Sequence, residues 1–318
     1  MLLALAAPAT ADVRLLTGRP IPKLGRTVVV RATDGRVTVK PRGHKPIKLT
    51  RHPVAIPLRS VVDTTHGKVE LTSAKPKGGT QSGVFSEGAF VVTQRKRDGL
   101  TDLTLSGGDF SACKKAAAAG APITDAKRNR RRRLFGRARG HFRSRGRSNS
   151  ANVRGTDWLM EDRCNGTVTQ NKSKDPKSKV DTATHGLHFN LDPGQTITYY
   201  CNVLGITPNT YCLILLAQPA DGLIGGGILT TVDTKTYDLC VRAPDGQEGC
   251  DTGIPLTDPD EHGFRQAVFA CPVRQVGRYV FAWSLDHQNL LYPSLALTLS
   301  KEGANIDCIF RPPRPATT

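Results

Sequence analysis

Apolar and polar residues alternate with a period of two through most of this chain, and no stretch keeps a helical period. Thr27-Val28-Val29-Val30-Arg31 and Arg36-Val37-Thr38-Val39-Lys40 read as two strands, with Thr33-Asp34-Gly35 as the hairpin turn between them. Val54–Leu58 leads into Ser60–Thr72, which reads as strand, turn and strand about His66-Gly67. Val84-Phe85, Ala89–Val92 and Leu100–Leu105 continue the series. Further on, Trp158 and Met160 alternate with Asp157, Leu159 and Glu161, so one face can be buried and the other left partly wet. Asn165-Gly166 then turns the chain into Thr167–Gln170, and Gly155 marks a bend or a close backbone approach. This is the pattern of an all-β protein.

A lysine- and proline-rich stretch, Lys172 to Lys179, divides the pattern. It places a linker over 173–185 and a second domain over 186–300. The strands expected there are Leu187–Leu191, Gln195–Val203, Tyr211–Gln218, Ile228–Val232, Thr236–Arg242, Arg265–Val273, Gly277–Leu285 and Leu291–Leu299. Short strands separated by Gly, Pro and Asp turns predict a β-sandwich. Tyr279–Leu285, with large residues on one side, looks like a core strand of an immunoglobulin-like sandwich. The likeness is architectural, because no Cys–Trp–Cys spacing of an antibody domain is present. Residues 301–318, rich in Pro and Arg towards the end, are expected to be a tail.

Length and cysteine usage narrow the setting. The 318 residues are enough for two ordinary domains. Residues 1–11 resemble the end of a secretory signal peptide, with Ala9-Thr10-Ala11 as the small-x-small cleavage pattern. The eight cysteines include no Cys-x-x-Cys pair and no His partner at zinc-finger spacing, so disulfides in an oxidising compartment are expected and a structural zinc site is not. Cys113–Cys164 is the expected bridge of the first domain, and Cys240–Cys250 spans a hairpin turning at Asp245-Gly246. Cys201, Cys212, Cys271 and Cys308 allow three connectivities, of which Cys201–Cys271 with Cys212–Cys308 is the weakly preferred one. No apolar run reaches the ~20 residues needed to span a bilayer.

The segment Val153-Arg154-Gly155-Thr156, followed by the Trp158 strand, resembles the Val-Arg-Gly-Thr region of FecR-type domains. The order of β-motifs over residues 26–172 is similar to that family too. The resemblance implies a secreted or envelope-attached, non-catalytic sensing or scaffolding module, with no cofactor and with an envelope protein or anionic envelope polymer as partner. FecR sensors proper also carry a transmembrane segment and a cytoplasmic anti-sigma region, neither of which is seen here.

One stretch departs from that pattern. Residues 114–147 read as an insertion, opening with Lys114–Gly120 and passing into a basic tract that holds much of the net charge of +18. Arg130, Arg131, Arg132, Arg133, Arg137, Arg139, Arg143, Arg145 and Arg147 are its candidate anion-binding residues. Arginine offers a planar fork that fits phosphate or carboxylate. As a solvated loop tied at its base by a disulfide, the tract would bind anionic polymers and be removable without loss of the fold. In a reducing compartment the same tract would suit nucleic acid, which is the alternative reading.

Other constellations point to nothing catalytic. Asp251-Thr252-Gly253 occurs once, follows Gly249-Cys250 instead of an apolar strand, and lacks the second carboxylate that aspartic proteolysis needs. Asp258-Pro259-Asp260-Glu261-His262-Gly263 lacks the alternating spacing of a calcium loop and reads as a turn. His44, His52, His66, His141, His185, His262 and His287 show no pairing at metal-ligand spacing. No nucleophile-elbow, zincin or phosphate-loop motif is present, so neither an enzymatic activity nor a small-molecule substrate is expected.

Overall fold

A computed structural model describes residues 20–111, 132–164, 166–201, 211–218, 223–272, 276–285, 294–300 and 303–309. The expected signal segment and Cys113, Arg130 and Arg131 lie outside them. The described chain is all-β. Its first strands are β1 (Thr27–Lys40), β2 (Ile47–Lys48), β3 (Val54–Pro57), β4 (Val61–Ala74), β5 (Thr80–Ser86), β6 (Ala89–Gln94) and β7 (Thr101–Ser106). Then come β8 (Arg132–Arg139), β9 (Phe142–Arg145), β10 (Ser150–Val153), β11 (Thr156–Arg163), β12 (Gly166–Asn171), β13 (Val180–Thr184) and β14 (Leu187–Leu191). The last are β15 (Thr196–Cys201), β16 (Tyr211–Gln218), β17 (Leu223–Thr230), β18 (Thr236–Arg242), β19 (Glu248–Pro255), β20 (Arg265–Pro272), β21 (Gly277–Leu285), β22 (Ser294–Ser300) and β23 (Gly303–Ile309).

Two turns expected from sequence are corners instead. Thr33-Asp34-Gly35 lies inside β1 and His66-Gly67 inside β4, and Gly35 stands opposite Gly67 in the antiparallel β1–β4 ribbon. The register shifts on both sides of that pair. Gly35 has φ +62°, and a Cβ on Gly67 would meet Arg36 N at 2.8 Å, so glycine is required where the ribbon bends. Beyond the bend the ribbon feeds two layers. From Lys68–Ala74 of β4 one layer continues through β5, β8, β11, β12, β15, β16, β17 and β20. From Val61–Asp63 the other continues through β6, β7, β9, β10, β13 and β14, with β7 and β9 parallel.

The chain switches between these layers repeatedly, and the inner faces meet in one apolar core. Phe85 of β5 packs on Phe90 of β6, Phe142 of β9 and Trp158 of β11, with ring centroids 5.6, 5.7 and 6.1 Å apart. All four are fully buried, each worth roughly 1.5–3 kcal/mol of transfer free energy or more. Trp158 and Met160 point inward, as the alternation predicts.

The basic tract corrects the reading of an insertion. Arg132–Arg139 is β8, an internal strand between β5 and β11, and Phe142–Arg145 is β9, between β7 and β10. Its apolar and small residues hide the period: Leu134, Gly136 and Ala138 face the core from β8, and Phe142 and Ser144 from β9. Arg133, Arg137, Arg139, Arg143 and Arg145 occupy the alternate, outward positions, while Arg132, at the start of β8, shares the inward parity and reaches the buried Asp162.

The domain boundary also falls differently. Within 173–185, Val180–Thr184 is a strand paired with β10 and β14 in the first core, so that stretch is not a linker. Strands β15 to β17 serve both halves of the molecule. In β16, Cys212, Ile214 and Leu216 face the first core, while Leu213 and Leu215 face a second one. The second core is closed by the five-stranded sheet β19-β18-β21-β22-β23, through Tyr237, Leu239, Phe281, Trp283 and Leu285. A sandwich is therefore present towards the C-terminus, but it shares strands with the first layer pair. Of the expected tail, Gly303–Ile309 is a strand paired with β22, and residues 310–318 lie outside the description.

Two disulfides are described. Cys240–Cys250 links directly opposed residues of β18 and β19, at the pairing expected from the hairpin. The other is Cys201–Cys212, which replaces the expected Cys201–Cys271 and Cys212–Cys308. The reason is register: Cys201 of β15 and Cys212 of β16 stand directly opposite each other. Cys164 is also disulfide-bonded. Among the described residues, no helix is long and apolar enough to cross a membrane.

Candidate anion-binding groove

Most described arginines of the tract already have carboxylates. Arg132 Nε donates to the buried Asp162 carboxylate at 2.7 Å, and Arg137 donates three hydrogen bonds of 2.7–3.0 Å to Asp157. That pairing holds the Arg137 guanidinium above its ordinary pKa. Arg133 lies 3.0 Å from Glu87 and 3.7 Å from Glu161. Arg143 and Arg145 both donate to Asp102, which is buried and sits opposite Arg143 across the parallel β7–β9 pair. Arg147 and Arg132 place their guanidinium groups over the Phe110 ring, at 4.7 and 5.0 Å, and burial lowers the Arg147 pKa. Arg139 is exposed. The tract is thus largely a wall of internal ion pairs.

Free positive charge collects elsewhere, on a rim where two hairpin turns and three crossings between layers come together. Five short connections converge there: Lys75–Gly78 after β4, Arg95–Asp98 after β6, Gly140-His141 between β8 and β9, Arg154-Gly155 between β10 and β11, and Asp175–Lys179 after β12. They line a groove of about 780 Å³ that adjoins another of about 560 Å³, and the two share His141 and Arg154. Eight Lys and Arg residues and three Asp residues line them together.

Local chemistry fixes these connections. Gln81, 6% exposed, donates from Nε2 to Gly99 O at 2.8 Å and accepts the His141 amide at 2.8 Å on Oε1. It therefore ties the Arg95–Gly99 turn to the Gly140-His141 corner. Gln94, 9% exposed, donates to Ala74 O at 2.7 Å and to Gly99 O at 3.2 Å, which adds the start of the Lys75–Gly78 turn. Asp98 accepts the Leu100 amide and pairs with Arg95, and these hold its carboxyl below the usual range despite an opposing desolvation. Gly155 has φ +123°, so the Val153–Thr156 segment is a layer crossing: Val153 and Thr156 are buried, and Arg154 is left exposed at the groove. Asp175 accepts the Lys177 amide at 2.9 Å and closes the last turn.

Among the lining cations, Arg95, Arg143 and Lys179 have carboxylate partners in Asp98, Asp102 and Asp192. Lys75, Lys77, Arg97, Arg154 and Lys177 are exposed and make no ion pair with a described residue. Asp181 is engaged by Asn152 and His188. No Phe, Tyr or Trp is among the described residues that line the groove.

Of the described tract residues expected to bind anions, only Arg143 reaches this groove. The five unpaired cations were missed, although each lies in a stretch rich in Gly, Pro or Asp that marks a turn. What sequence does not carry is that the turns converge. Elsewhere, Cys240, Glu248 and Cys250 bring potential ligand atoms within 4.8 Å of one another, but both sulfurs are committed to a disulfide. Asp251 lies exposed on β19, and Asp260 caps a turn by accepting the His262 and Phe264 amides.

No protein-family model matches the chain, and no curated protein matches it; nothing in these comparisons identifies a FecR-type domain.

Proposed function

We propose that this is a non-catalytic secreted or cell-surface protein, a FecR-like sensing or scaffolding module joined to a β-sandwich, that contacts anionic envelope polymers. The observation that carries the reading is the rim groove, where five cations stand free of ion pairs while the arginines of β8 and β9 are mostly paired. Clustered unpaired cations raise the local anion concentration and release counterions when a polyanion binds. The two described disulfides suit an oxidising compartment, which makes an extracellular anion the relevant partner. The Val153–Thr156 layer crossing gives the FecR-like segment a concrete role, since it sets Arg154 at the groove.

Binding of the oxidised full-length chain to a soluble acidic polymer and to its neutral counterpart, at two salt concentrations, tests this function. The expected result is binding to the acidic polymer alone, weakening steeply with salt. Absence of binding, or equal binding to both, would contradict it.

A further inference from the structure

We infer that the rim groove is the binding track for a linear acidic polymer whose backbone is sugar or polyol, with phosphate or carboxylate groups at intervals. The inference rests on the polyanion-binding function proposed above and adds the site and the polymer class.

Three observations lead there. First, Lys75, Lys77, Arg97, Arg154 and Lys177 come from four separate connections; the first four line the smaller groove and Lys177 the larger, with Arg154 shared, so the unpaired charge extends over both adjoining grooves. A small anion fills one groove and leaves the cation of the other unmet; a chain can run through both. Second, buried Gln81 and Gln94 hold backbone atoms of two of these connections, those after β4 and β6, and of the Gly140-His141 corner beside them. A site held this way loses little freedom on binding. Third, no Phe, Tyr or Trp is among the described residues that line the groove; its imidazoles are His141 and His188, and His188 is already engaged with Asp181. Single-stranded nucleic acid gains about 1–3 kcal/mol per base by stacking on aromatic side chains, and this groove offers no Phe, Tyr or Trp platform for a run of bases. A polymer whose recognition is backbone charge alone forgoes nothing here. Arg97 and Arg154 can each hold a phosphate or carboxylate through the planar guanidinium fork, and the lysines supply point charge.

The test uses the oxidised full-length chain and three probes matched in charge: poly(glycerol phosphate), polygalacturonate and oligothymidylate. The first two separate phosphate from carboxylate, and binding of either supports the polymer class. Tighter binding of oligothymidylate than of both would overturn the class in favour of nucleic acid. For the site, Arg97→Ala with Arg154→Ala is compared with Arg36→Ala with Arg42→Ala, two exposed arginines outside the groove. Occupation of all five cations gives a slope of log K on log salt near −3.5, about 0.7 per charge. The groove variant should reduce that slope by about 1.4 and weaken binding about tenfold at physiological salt. The control pair should leave both unchanged. Circular dichroism confirms that each variant is folded. If wild type binds with a steep salt dependence but the two variants behave alike, the groove is not the track, although the polyanion function stands. If wild type binds no acidic polymer, that function falls with it.

Discussion

Trp158 Nε1 donates a hydrogen bond to Ser144 Oγ at 2.9 Å, and both side chains are fully buried although they belong to opposite layers. Ser144 lies on β9, inside the basic tract, and the indole also rests over Gly136 of β8. The tract therefore supplies both the floor and the polar anchor for the largest residue of the core. Ser144→Ala leaves the indole N–H without its partner and should cost about 1–3 kcal/mol. Gly136→Ala would put a Cβ 2.6 Å from the indole ring and should cost about 1–3 kcal/mol by overpacking. Urea unfolding measures both; wild-type midpoints would show that the indole is not held there.

Removing residues 132–147 takes out β8 and β9, which pair with strands on both sides. The shortened chain should lose its cooperative unfolding transition and its slow-exchanging amides. A folded product would restore the reading of this stretch as a loop.

Asp102, 6% exposed, receives Arg143 and Arg145. Asp102→Asn leaves the well-covered Arg143 charge without its counterion, an effect expected at about 3 kcal/mol. The double variant Asp102→Asn with Arg143→Gln should recover part of the loss. An unfolding free energy unaltered by the single change would remove this pair from the account of the wall.

The pattern of strands was legible in sequence because one face of each strand packs on the core. The tract was misread because arginines at outward positions of β8 and β9 mask the small inward residues Gly136, Ala138 and Ser144. Thr33-Asp34-Gly35 and His66-Gly67 read as hairpin turns from sequence, whereas each is a bend inside one long strand. Sequence does not say that the two bends coincide across a ribbon and turn it from one layer to the other. The run Cys212–Leu216 is apolar at every position because both its faces are buried, and that hides the sharing of strands between the two cores. The groove was invisible for a similar reason: its cations are far apart in the chain, on hairpin turns and layer crossings that only the fold brings to one rim.

Cys201 and Cys212 close a loop with a sequence separation of 11. Replacing both with Ala should destabilise the fold by about 3 kcal/mol in the chain-entropy model. Peptide mapping of oxidised protein checks the pairing directly, and a Cys201–Cys271 fragment would refute it.

His185 has a left-handed backbone, φ +42°, and its imidazole lies against Phe264 with ring centroids 4.4 Å apart, although the residue as a whole is exposed. Loss of water around the ring lowers its pKa below the ordinary 6.5, against the opposing pull of Asp260. The unfolded chain then binds more protons than the folded one in this window. The neutral ring's contribution is full above about pH 6.5 and is lost as pH falls through the lowered folded value. His185→Asn, which tolerates the left-handed backbone, should flatten the loss of stability between about pH 7 and pH 5 relative to wild type. An identical pH profile for the two proteins would count against it.

The central claim is that acidic polymer lies along the rim groove and not on the outer face of the basic tract. Hydrogen exchange of the oxidised full-length protein, with and without saturating polygalacturonate or poly(glycerol phosphate), reads the location directly. Slowed exchange is expected in the Lys75–Gly79 and Arg95–Gly99 turns, the Val153–Thr156 crossing and the Asp175–Lys179 turn, with no change at the corner of β1 and β4. Slowing confined to Arg132–Arg139, or absent from all four connections while the polymer is bound, would contradict the claim.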